Sequence, residues 1–149
     1  MDQTVATIVD LYHSIHRQFR EIVQDMDSEQ LNWSPGPGLN SVAVLVTHTL
    51  GSELDTLLFV RDLQGDRDRE SEFQVSAASP SELAEAIDRA DKLLGEHGER
   101  ITGDVLASTR TRPDRDPQIG LHWLINNYGH AREHLGHLHM TRQLYDRRS

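Results

Sequence analysis

The run NYGHAREHLGHLHM sets His130, His134, His137 and His139 among residues that otherwise favour a helix. A neutral imidazole can ligate a transition metal, or can take and give a proton near neutral pH. With side chains spaced at about 100° per residue and His130 at zero, His134 falls near +40° and His137 near −20°. His139 lies on the opposite side and His122 well off the stripe. Leu124, Leu135 and Leu138 flank it, between roughly 80° and 140°. The polar stripe therefore borders an apolar one, where imidazoles must be paired, hydrated or ligated. Spacing alone leaves two readings open: a hydrogen-bonded polar seam, or part of a ligand set.

His48 bears on that choice. It stands in SVAVLVTHTLGSELDTLL, after an almost continuous apolar run where another aliphatic residue is expected. A lone buried histidine is most often satisfied by a polar neighbour. Opposite His130 and His134, however, it would complete three imidazoles from two helices. Three nitrogens with an open position form the ligand set of catalytic zinc sites, and suit nickel or iron(II) as well. Asp55 lies two turns beyond His48 on nearly the same face. Asp55 and Glu53 could orient a ligand or a bound water, or serve as solvated surface acids, the expectation for Glu53. Asp55, Glu53 and His137 are the candidate proton relays. His13 and His16 are read as surface residues or local hydrogen-bonders. His97, beside Gly98, is read as a partner of a helix C-terminus.

The elements that must position these groups are helical. Apolar residues recur at helical spacing over about 4–26, 41–63, 80–101 and 118–145, and no segment alternates like a strand. The stretch SPGPG makes a loop after the first segment. Asn40 or Ser41 caps the second, and Gly65 is placed to stop it. Ser79, Pro80 and Glu82 form a start signal for the third. Four such helices predict an all-α, four-helix bundle built from a single domain, residues 1–149. The connections after the second and third helices, roughly fifteen residues each, exceed what antiparallel neighbours need, so at least one is expected to cross over and join parallel neighbours.

Composition narrows the chemistry. There is no cysteine, so a transition-metal site must use histidine and carboxylate, and any thiol chemistry needs an exogenous thiol. A net charge of −9 opposes general nucleic-acid binding. The clusters RTRPDRDP and RQLYDRRS read as solvated charge. The N-terminal MDQTVATIVDLYHSIH lacks the pattern of a signal peptide, and no apolar run is read as a membrane span. The expectation is a cytoplasmic protein with no membrane partner.

Two stretches resemble the DinB-like (DinB/YfiT) metalloenzyme family. LNWSPGPGLNSVAVLVTHTLGSELDTLL is similar to the family's Leu-x-x-Pro and Asn-Ser stretch leading into a helix with one histidine. YGHAREHLGHLHMTRQL is similar to its His-x-x-x-His-x-Gly-Gln run. Matched residue by residue, the ligands would be His48, His130 and His134, and Gly136 falls on a glycine that permits close helix packing. The usual glutamine is His137 here, which leaves the coordination number at three or four. The resemblance implies a four-helix bundle, often a homodimer, holding a divalent ion, zinc or nickel foremost and then iron or manganese. It also implies a small-molecule substrate or a low-molecular-weight thiol, in a hydrolase or thiol transferase. A non-catalytic metal-stabilised dimerisation module, or a small-molecule-binding bundle, is the alternative.

Overall fold

The computed structural model describes residues 1–148. Four long helices form the bundle: α1 (Gln3–Val23), α3 (Val42–Val60), α5 (Pro80–Gly98) and α7 (Gly120–Asp146). Their connections carry short helices α2 (Ser28–Asn32), α4 (Arg69–Glu72) and α6 (Gly103–Ala107), and two-residue strands β1 (Thr109–Arg110) and β2 (Gln118–Ile119).

Each start has a local cause. The Asp2 carboxylate accepts from the Thr4 and Val5 amides at the head of α1. The Ser41 hydroxyl accepts from the Val44 amide at 3.1 Å, a cap whose loss costs about 1 kcal/mol. Pro80 opens α5, yet Ser79 makes no capping bond; Glu82 instead accepts from the Ala78 amide at 3.1 Å. Helix α3 stops short of Gly65. Asp62 takes the left-handed conformation (φ 58°), and the Leu63 amide bonds back to the Leu58 carbonyl at 2.9 Å.

The long helices pack in the ring order α1–α5–α3–α7, so α1 stands diagonal to α3, and α5 to α7. Paired contacts give the directions. Tyr12 meets Asn127 and Arg142 meets the Ile22 carbonyl, so α1 and α7 run parallel. His16 meets Asp91 and the N-terminus meets Glu99, so α1 and α5 are antiparallel. Ser52 meets Asn127 while His48 meets His130, so α3 and α7 are antiparallel as well. It follows that α3 and α5 are parallel neighbours, and residues 61–79 form the crossover that joins them. The segment between α5 and α7 contains the antiparallel β1–β2 pair, Thr109 opposite Ile119 and Arg110 opposite Gln118. Two residues per strand are too few for alternation to show in sequence.

The core is one apolar cluster running through all four long helices, with Phe19, Ile15, Ile87, Leu94 and Leu138 fully buried. Each such side chain contributes about 1.5–3 kcal/mol. Helix α3, contrary to the sequence expectation, is long and apolar enough to cross a membrane by composition. Most of it is buried in the bundle, as befits a central core helix, and it turns His48 and Glu53 inward.

Candidate metal centre

Helices α3 and α7 bring His48, His130 and His134 together. One ring nitrogen from each lies within 4.8 Å of the others. His130 Nε2 is 3.2 Å from His48 Nε2 and 3.0 Å from His134 Nε2. Nitrogens bound to one ion at about 2.0–2.1 Å with tetrahedral angles would stand roughly 3.3 Å apart. His48 is buried and the other two are half-buried.

The outer nitrogen of His48 fixes its tautomer, whereas that of His130 is buried without a partner. His48 Nδ1–H donates to Glu72 Oε1 at 3.1 Å, which leaves the His48 Nε2 lone pair facing the cluster. Arg67 grips the same carboxylate through Nε (2.9 Å) and Nη2 (2.8 Å). Burial opposes ionisation of Glu72, but the hydrogen bonds from Arg67 and His48 outweigh it and hold the carboxyl below its ordinary range. Gly51, one turn beyond His48, makes room for this arrangement, because a Cβ there would collide with the Glu72 carboxylate.

His130 Nε2 cannot satisfy both of its close neighbours. A neutral ring offers one proton or one lone pair at that atom. With the His48 lone pair already facing in, one of the two short N···N contacts is left without a shared proton. Protonating the rings is not the remedy. Burial pushes His48, His130 and His134 all below the ordinary histidine value, His134 to about 4, and for His130 and His134 the neighbouring imidazoles add to it. A cation that accepts three lone pairs satisfies the three converging Nε2 atoms. The residues present thus fit a divalent ion with nitrogen preference, the zinc, nickel or iron(II) class.

The other sequence candidates fall in different places. His137 sits on the outer side of His134, its Nδ1 3.2 Å from His134 Nδ1, and does not join the converging set. Asp55 lines the cavity beside the histidines and accepts from Arg112 Nη2 at 2.9 Å. Glu53 is neither a surface acid nor a neighbour of the cluster. It is 2% exposed and accepts from His16 Nε2 at 2.8 Å. His16, expected as a surface residue or a local hydrogen-bonder, is fully buried, and its Nδ1 meets Asp91, on a different helix, at 2.6 Å. A Cβ at Gly136 would meet nothing within 4 Å, so this chain does not need that glycine for packing. His97 lies in the last turn of α5 and bonds Arg61.

Sequence reasoning missed Glu72 and Arg67. Both lie in the irregular connection after α3, where no periodicity points to an inward face. The one signal was the length of that connection.

Beside the cluster a cavity of about 370 Å³ opens onto His48 and His130, with Trp123, Asn127 and Asp55 in its wall. Trp123 is nine-tenths buried and donates its indole N–H to the Arg110 and Gln118 carbonyls, anchoring the β1–β2 turn over α7.

These features define a class: a helical bundle with a three-histidine candidate metal centre between two of its helices, open on one side to a cavity. The chain belongs to the DinB superfamily, whose family model matches residues 11–138. Its fold is similar to a conserved protein from Enterococcus faecalis, with a TM-score of 0.80, 18% identity, and 97% of each chain covered. It is also similar to a DinB-like protein from Bacillus subtilis, with a TM-score of 0.74 and 17% identity, covering 96% of this chain and 94% of that one. YfiT from Bacillus subtilis, described as a probable metal-dependent hydrolase with an unusual four-helix bundle topology, matches with a TM-score of 0.77 and 14% identity, covering 96% of this chain and 88% of that one. No curated protein matches this chain.

Proposed function

We propose that this chain is a divalent-metal-dependent enzyme of the hydrolase type, with His48, His130 and His134 as the ligands. The observation that carries this reading is the convergence of three neutral imidazole nitrogens at the edge of a cavity. A structural zinc site is closed by four protein ligands, whereas a catalytic one keeps a position open. Among the described residues no fourth histidine or carboxylate joins the set. The fold shared with YfiT, described as a probable metal-dependent hydrolase, supports the same class.

A divalent ion in such a site lowers the pKa of a coordinated water or thiol toward neutrality. Glu72 holds the His48 ring in the tautomer that presents Nε2 inward, and Arg67 keeps Glu72 ionised. His137 steadies His134 through the outer nitrogen. Asp55 is the carboxylate in the cavity wall and the residue placed to take a proton there. Water suffices for hydrolysis. Thiol transfer at the same open position would need a low-molecular-weight thiol, since the chain has no cysteine.

The test is metal content and its effect on stability. Protein purified without added metal, then stripped with chelator and titrated with zinc and with nickel, is expected to bind about one ion per chain and to melt at a higher temperature when loaded. Occupancy far below one, with no binding of added zinc and no rise in Tm, overturns the reading.

A further inference from the structure

The cavity that opens onto His48 and His130 has a lining unlike the rest of the molecule. Four arginines, Arg67, Arg69, Arg112 and Arg115, face a single carboxylate, Asp55, in a chain whose net charge is −9.

The two long connections each deliver two of them. Arg67 and Arg69 come from the segment that leads from α3 into α4. Arg112 and Arg115 come from the β1–β2 turn. In that turn Pro113 is followed by Asp114 in the left-handed conformation (φ 62°), and the Arg115 amide bonds back to the Arg112 carbonyl at 3.3 Å. This is the pattern of a proline-led turn with positive φ at its third residue. It brings the first and fourth residues, both arginines, close together. As sequence, RTRPDRDP nearly cancels, three arginines against two aspartates; in space the signs partly separate. Arg112 and Arg115 line the cavity, while Asp114 and Asp116 border a neighbouring shallow cleft that shares Arg115.

The four guanidiniums are not equivalent. Arg67 is committed to Glu72. Arg112 is fixed by Asp55 and by stacking over Phe59, with 4.0 Å from guanidinium carbon to ring centre. Arg69 lies over the Phe73 ring, 5.0 Å from guanidinium carbon to ring centre, with its exposed neighbour Glu70 at 4.0 Å, and Arg115 forms no ion pair among the described residues. Two cations held by carboxylates at hydrogen-bond distance, and two whose N–H donors no carboxylate takes up at that distance, surround a small cavity. They make a receptor for a compact anion, because guanidinium matches carboxylate and phosphate in geometry and charge.

We propose that this cavity binds the anionic end of a small substrate, a carboxylate or a phosphate ester. Arg115 and Arg69 close on the anion, Arg112 stands behind it, and the reacting group lies against His48 and His130. The inference rests on the metal reading for the reacting end only, since the anion contacts involve none of the three histidines.

The experiment uses the full chain in two states, chelator-stripped and zinc-loaded. Succinate and inorganic phosphate are titrated at ionic strength held constant with chloride, and binding is followed by calorimetry. The expected result is saturable binding of at least one of the two anions to the stripped protein, weakened at least about tenfold in the Arg69→Gln/Arg115→Gln double variant, the scale of one lost charge-assisted contact. Both arginines are exposed, so the variant should melt like the parent. Arg132→Gln, on the exposed side of α7, should bind like the parent. Absence of saturable binding by the stripped parent, or binding unchanged in the double variant, overturns the proposal. Binding confined to the zinc-loaded state and indifferent to the arginines would place the anion on the ion, which overturns this inference and leaves the metal reading standing. Arginine-dependent binding by a protein that takes up no zinc would do the reverse.

Discussion

Glu72 Oε1 lies 3.1 Å from His48 Nδ1, although 24 residues separate the two in the chain. The carboxylate decides which His48 nitrogen carries the proton, and so whether a lone pair points toward His130. Acceptors of this kind raise ligand basicity and fix ring orientation. Glu72→Ala is therefore expected to weaken zinc affinity by about 10–100-fold while the bundle stays folded. Competition against a chromophoric chelator measures it. Unchanged affinity would remove Glu72 from the site.

Gly51 gives a sharper test of the same contact. Ala is favoured over Gly in a helix interior by about 1 kcal/mol, so on local grounds Gly51→Ala should stabilise α3. The new Cβ would occupy the space of the Glu72 carboxylate and drive it off His48. The expected outcome is a variant with helical content like the parent's and zinc affinity reduced toward that of Glu72→Ala. If the variant binds zinc as the parent does, Glu72 is not held where it matters.

His130 and His137 separate the ligand set from its surroundings. His130→Ala removes the nitrogen shared by both short contacts, and should abolish the zinc-dependent rise in Tm. His137→Ala removes only a partner of the outer nitrogen of His134, and should lower affinity no more than the loss of an orienting residue does, within about 100-fold. Equal and complete loss in both variants would mean that His137 is itself a fourth ligand.

Much of the fold was legible because α1, α3, α5 and α7 depend on local signals: Ser41 as a cap, Pro80 in a first turn, and apolar residues at helical spacing. Helix ends were less so. Asp62, rather than Gly65, takes the left-handed position, just past Val60, the last buried residue of α3, where residues 62–66 are exposed. The histidine cluster could be read from the wheel of α7 and from one misfit in α3. His16 and Glu53 were misread although a signal existed. His16 follows Tyr12 by four residues and precedes Phe19 by three. Glu53 stands likewise between Leu50 and Leu57. Both occupy core positions of their helices, where each titratable group is buried against the other. Glu72, Arg67 and the cavity arginines carried no such signal. Their placement depends on how long connections fold back, which no local period encodes.

The buried His16, Glu53 and Asp91 set gives the protein a pH dependence remote from the metal centre. Burial pulls the His16 imidazolium down, but its hydrogen bonds to Asp91 and Glu53 outweigh that and raise it to about 9. A histidine raised in the folded state contributes stability that is fully present below the unfolded value, about 6.5, and is lost as pH rises through about 9. Asp91, held at about 2 by His16 and Arg20 against the effect of burial, loses its contribution only as pH falls below about 4. Burial pushes Glu53 upward, so it opposes Asp91 at the acid end and leaves the alkaline limb as the cleaner readout. His48, His97, His130 and His134 are all pushed below the ordinary value and do not share that limb. Unfolding free energy, measured with urea on chelator-stripped protein, should fall between pH 6.5 and 9 with a slope approaching about 1.4 kcal/mol per pH unit. His16→Leu alone leaves Glu53 buried without its partner and should cost about 3–5 kcal/mol. The double variant His16→Leu/Glu53→Leu should recover part of that loss and flatten the slope. A parent protein already flat across this window would mean that His16 is neutral in the core, and that Glu53 carries the shared proton instead.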